Sequence, residues 1–126
     1  MHAGPVIAVS DLARAREFYE TKLGLAGEGT PGGHLVRGDG DTVIYLLPGV
    51  TDADSATWSV ASFRVTDARA TVRTLRSRGV TFLTQEELPF RLDDDGISSD
   101  TTGLLVAWMR DPDGSVLTIF SHTEPG

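Results

Sequence analysis

A chain of 126 residues, 40% hydrophobic and 23% charged, has the composition of one compact globular domain rather than of a disordered segment. Its formal net charge of −7, with Lys22 as the single lysine, argues against nucleic acid as a partner, because phosphate binding needs clustered cations; an acidic surface would draw a cationic small molecule. The lack of cysteine removes disulfides and thiolate chemistry. No apolar run reaches the roughly 18 residues of a membrane helix, and the opening MHAGPVIAVSDL lacks a signal-peptide pattern, so the expected location is the cytoplasm, with no membrane partner.

In chain order, Val6 to Val9 is a short apolar run that predicts a strand. The polar pair Ser10-Asp11 then offers an N-cap to an amphipathic helix carrying Leu12, Ala15, Phe18, Tyr19 and Leu23 at helical spacing, with Gly24 as its stop. His34 to Arg37 and Thr42 to Leu47, on either side of Asp39-Gly40, read as a hairpin. The pattern then recurs. Ala61 to Val65 is a strand, Thr66-Asp67 a cap, and Ala68, Val72 and Leu75 a helical stripe stopped by Gly79. Leu104 to Arg110 and Val116 to Ser121, around Asp113-Gly114, form a second hairpin. Between helix and hairpin, Gln85 to Gly103 carries Pro89, the run Asp93-Asp94-Asp95 and Gly96, and is expected to be a long loop, either a lid or a mobile segment.

The fold class that follows is α+β, with strand, helix and about three strands written twice: two tandem βαβββ modules. Module 1 spans about 4–48, a linker about 49–56, and module 2 about 57–122, within a single domain covering 1–126.

Three stretches carry a resemblance: VIAVSDLARAREFYETKLGL from Val6, ASFRVTDARATVRTLRSRG from Ala61, and AWMRDPDGSVLTIF from Ala107. In order and duplicated, they resemble the opening helix motif, the second-module opening and the closing Asp-Pro-Asp-Gly hairpin of the vicinal-oxygen-chelate superfamily, which includes glyoxalases, bleomycin-resistance proteins and extradiol dioxygenases. The resemblance implies a cup-shaped mixed sheet with helices on its convex face. It also implies a test for metal, since the metal-using members hold an ion in the cup with His, Glu or Gln at equivalent points of both modules. Those points fall on Gly4, Val60 and Thr118, and on the strand Thr42 to Leu47, which contains no carboxylate, imidazole or amide. No metal site, cofactor or catalytic residue is therefore expected.

Successive strand side chains point to opposite faces, so the metal-slot positions also mark the face turned to the cup. That parity assigns Trp58, Val60, Ser62 and Arg64, then Thr118 and Phe120, and then Trp108 and Arg110 to a ligand face; Tyr45 and His34 join them from module 1. Aromatic rings around a concavity, with two arginines for a ligand acid or oxygen, suit an aromatic ligand. The expected function is thus metal-free binding of an aromatic or cationic natural product or antibiotic, giving resistance by sequestration. By resemblance the protein would be a homodimer, with each cup completed by the partner. The alternative is a glyoxalase-like or other lyase, isomerase or dioxygenase-type enzyme of the same fold with atypical or no metal ligands.

Overall fold

The computed structural model describes residues 5–40, 42–48 and 59–122. Its α+β architecture consists of two four-stranded mixed sheets, belonging to two compact units. The linker expected at about 49–56 lies outside the described residues.

The first unit comprises Met1–Ala56 and the turn Asp111–Ser115. Its strands are β1 (Val6–Val9), β2 (Ala26–Thr30), β3 (Gly33–Arg37) and β4 (Val43–Pro48), in the order β1-β4-β3-β2. β1 runs parallel to β4, and the remaining pairs are antiparallel. Ile7, Val9, Val36, Ile44 and Leu46 are buried on one side of the sheet. The alternate residues Val6, Leu35 and Tyr45, aligned across β1, β3 and β4, occupy the other side.

The helix between β1 and β2 starts as expected and then departs from the simple pattern. Asp11 is its cap, accepting from the Arg14 amide at 3.2 Å, while Ser10 turns instead to Asp113. Only Leu12–Arg16, α1, is α-helical; Glu17–Lys22 continues as a π-helix. The wider turn, seen in the Leu23 amide bonding to the Phe18 carbonyl at 2.9 Å, lets the neighbours Phe18 and Tyr19 both be buried. Their rings meet edge to face, with centroids 5.0 Å apart.

The Tyr19 hydroxyl donates to Asp111 Oδ2 at 2.7 Å, inside the first unit. The other oxygen of Asp111 accepts from the amides of Asp113 and Ser115, which folds the Asp-Pro-Asp-Gly turn around one buried carboxylate. Gly114, at φ +88°, supplies the left-handed residue that this turn needs. Burial pushes the Asp111 carboxyl up, and burial together with Asp111 pushes the Tyr19 phenol up, so Tyr19 stays a donor.

The second unit comprises Thr57–Arg110 and Val116–Gly126. Its strands are β5 (Ser59–Arg64), β6 (Ser98–Ser99), β7 (Leu104–Arg110) and β8 (Val116–His122), in the order β5-β8-β7-β6. Helix α2 (Ala68–Ser77) packs on β7 and β8. It is capped by Asp67 and buries Ala68, Val72 and Leu75 as the sequence spacing predicts. The Ala68 amide donates to Ser121 Oγ at 2.9 Å, which fixes the α2 side of β8 as the side of Leu117, Ile119 and Ser121.

The stretch Gln85 to Gly103, expected as a loop, contains a 3-10 turn at Gln85–Glu87 and the short edge strand β6. Its acidic run is tied down: Arg69 bonds both Asp95 and Asp93, the latter at 2.9 Å, and Arg73 approaches Asp95 at 3.5 Å. No helix among the described residues is long and apolar enough to cross a membrane.

Tyr19→Phe removes the hydroxyl that donates to Asp111 Oδ2 and so costs a buried acceptor that bond. Urea unfolding should show a loss of about 1–3 kcal/mol. An unchanged midpoint and slope would show that the bond carries no net stability.

Candidate binding face of the second sheet

Strand register brings most of the residues expected at the ligand face together on the side of the second sheet opposite α2. Ser62 and Trp108 both pair with Thr118, one across β5 and the other across β7. Arg64 and Val106 likewise flank Phe120. The hydroxyls of Ser62 and Thr118 are hydrogen-bonded to each other, and Thr118 also reaches the Ala61 carbonyl at 3.4 Å. Arg110 lies beside Val116 on the same side and ion-pairs with Glu87 at 3.4 Å.

The remaining expected residues fall elsewhere. Val60 is the extra residue of a β-bulge between Ser59 and Ala61, so strict alternation does not apply to it; its side chain is 39% exposed. Trp58 lies outside the described residues. Tyr45 is on the helix-free side of the first unit's sheet, with its hydroxyl 3.3 Å from Thr30 Oγ1. His34 is placed differently from its expected role. It sits on the helix side of β3, 4% exposed, with Nε2 3.0 Å from Glu20 Oε2. Glu20 is held in turn by Arg16 at 2.7 Å, and its carboxylate lies over Gly27, where an added Cβ would collide with it. The buried face of β3 thus needed a polar partner for a histidine, and the π-helix supplies one.

The sequence reading missed the residues that cover Trp108. The Leu83 amide bonds the Trp108 carbonyl at 2.8 Å, laying the chain after α2 along the edge of β7. Leu83, Leu88 and Val116 form a buried cluster against which Leu92 and Trp108 pack. Phe90 then stacks on the Trp108 indole, with centroids 5.2 Å apart and planes 7° from parallel. The signal was present as Leu88, Phe90 and Leu92, apolar at every second position within an otherwise polar loop.

A family model described as "Glyoxalase/Bleomycin resistance protein/Dioxygenase superfamily" matches residues 2–119. The chain belongs to this superfamily. Among curated proteins, none matches it. Similar solved structures include UcmS2, 21% identical over 95% of this chain and 98% of that one, with a TM-score of 0.71. The genomically encoded fosfomycin resistance protein FosX from Listeria monocytogenes is 11% identical, covering 98% of this chain and 94% of its own, with a TM-score of 0.74. TnmS3, an antibiotic binding protein from Streptomyces sp. CB03234, is 19% identical over 98% of both chains, with a TM-score of 0.62. At these identities the likeness is one of fold.

The superfamily's metal-using members raise the question of an ion, and the donor chemistry answers it. Thr118 offers a hydroxyl already paired with Ser62, Val60 is an exposed apolar bulge residue, and β4 turns Tyr45 rather than an acid or imidazole to its helix-free side. Gly4 lies outside the described residues. Among the described residues no three His, Cys, Asp or Glu side chains are grouped to hold an ion. Among the described residues, the side chains at these positions do not fit a divalent metal.

The loop beside this face is held by carboxylates with lowered proton affinity. For Asp93, burial pushes the carboxyl up, but Arg69 and the amides of Ile97 and Asp95 outweigh it and hold it below the ordinary range. For Glu87, the Thr84 amide, the Thr84 hydroxyl and Arg110 do the same. Because these folded-state values lie below the unfolded ones, the stability they add is complete above the ordinary carboxylate range and is lost as pH falls through the lowered values. Asp111 has the opposite sign: its contribution is present at low pH and is lost as pH rises through its raised value. The melting temperature should therefore fall between about pH 5 and pH 2. Asp93→Asn, which keeps an acceptor for the amides but loses the Arg69 pair, should flatten that descent; an unchanged pH profile would contradict the assignment.

Proposed function

We propose that this protein is a metal-free small-molecule binding protein that sequesters a flat aromatic or cationic natural product, conferring resistance by holding the compound rather than transforming it. The observation that carries the reading is the helix-free face of the second sheet. There Trp108 and Phe120 provide flat apolar area, Thr118 and Ser62 a paired hydroxyl row, and Arg64 and Arg110 cationic groups at its margins. Such a surface binds by stacking and orients by a few polar contacts.

Three further points support it. Among the described residues, the side chains at the superfamily's ligand positions do not fit the ion that its metal enzymes use. The net charge of −7 favours a cationic ligand over an anionic one. An antibiotic binding protein, TnmS3, shares the fold. In the same reading the protein acts in the cytoplasm as a homodimer whose binding sites are completed by the partner copy.

Titration of the metal-free protein with a panel of flat aromatic natural products, cationic and neutral, tests the proposal. At least one should quench tryptophan fluorescence and stabilise the fold, by about 2.7 kcal/mol at a ligand concentration of 100 times Kd. Trp108→Ala should weaken that ligand about tenfold or more, as expected for loss of a stacking anchor. No response across the panel, or stoichiometric Zn, Fe, Mn or Ni in the purified protein, would overturn the reading in favour of an enzyme.

A further inference from the structure

Phe90 is 49% exposed, although the segment that carries it is fastened on both sides. Leu88, two residues before it, is buried in the cluster with Leu83 and Val116, and Leu92, two residues after it, packs on the same cluster. The backbone between them is braced by one side chain. Gln85 Nε2 donates to the Phe90 carbonyl at 2.6 Å, and Gln85 Oε1 accepts from the Leu92 amide at 2.7 Å. The ring itself has a different support: it lies parallel on Trp108, whose other neighbours are Thr118 in the sheet and the leucine cluster. The loop is therefore anchored by Leu88, Leu92, Gln85 and the Arg110–Glu87 pair, and the Phe90 ring is not one of those anchors.

We infer that Phe90 is a specificity-determining residue: its ring occupies the stacking place on Trp108, so a ligand that stacks no better than a single benzene ring is disfavoured. This rests on the reading of the Trp108 face as the ligand surface. An aromatic pair of this kind shifts a population about two- to tenfold. While Phe90 is in place, the apparent affinity for any competing ring is reduced by the fraction of chains in which it has moved aside. A monocyclic ligand offers no more overlap than Phe90 and gains nothing by the exchange. A fused planar system of two or three rings covers more of the indole and displaces it. The ligand class is thus a fused planar aromatic.

The test uses the full chain with Trp58→Phe, which leaves Trp108 as the single tryptophan. The probes are proflavine, a planar three-ring cation, and benzamidine, a one-ring cation. In this background proflavine should quench Trp108 and benzamidine should not compete with it. Phe90→Ala should raise acrylamide quenching of Trp108 about twofold, tighten proflavine binding about three- to tenfold, and allow benzamidine to compete. Gln85→Ala, which loosens the loop without removing any stacking atom, should shift proflavine in the same direction and guards against a local packing effect of Phe90→Ala. Unchanged or weaker proflavine binding in Phe90→Ala, with Trp108 still quenched, would overturn the inference and leave the binding reading standing. Unchanged acrylamide quenching, or no proflavine binding in any variant, would also overturn it; the wild-type response to the natural-product panel then shows separately whether the binding reading falls too.

Discussion

The two-residue period of the β5-β8-β7 ladder is the constraint on which the proposed binding face depends. Because Thr118 pairs with both Ser62 and Trp108, those three side chains must emerge on one side, and Leu117, Ala107 and Met109 must emerge on the other. A slip of one residue would exchange the sets, exposing Met109 and Leu117 while pressing Arg110 and Trp108 against α2. The buried residues enforce the register. Leu117, Ile119, Ala107 and Met109 are all essentially inaccessible, and Ser121 accepts the first-turn amide of α2. Fixing the core thus also fixes the opposite face.

Loop residues then decide what that face presents. The ion pair between Arg110 and Glu87 is partly exposed and adds little by itself. Apolar packing of Leu83 and Leu88 on Val116 does more, since each fully buried leucine is worth about 1.5–3 kcal/mol. That packing brings the rest of the segment to Trp108. In the first unit a buried polar group plays the comparable role: the Asp111 carboxylate satisfies two amides and the Tyr19 hydroxyl together, and the turn follows from that bonding.

Much of this was legible in the residues because it depended on local rules. Asp11 and Asp67 cap their helices as their spacing suggests, Gly24 and Gly79 adopt the left-handed conformation that ends them, and Leu104 to Arg110 forms the expected strand. Alternation also separated Ser62, Arg64, Trp108 and Arg110 from the core. What could not be read locally depended on partners distant in the chain. His34 alternates correctly as a strand residue, but its burial is decided by Glu20 on a π-helical turn. Val60 leaves the alternation because the β-bulge adds one residue to β5. Phe90 meets Trp108 where Leu83 is docked along β7, a long-range contact that no short-range pattern encodes.

The claim that the helix-free face of the second sheet is the ligand surface is tested most directly by amide and indole NMR mapping during titration with a flat aromatic cation. The account predicts shifts centred on the Trp108 indole and on Ser62, Arg64, Thr118 and Phe120, with Phe90 moving as well. Shifts centred instead on α2, or on Glu20 and His34 behind the first sheet, would contradict it.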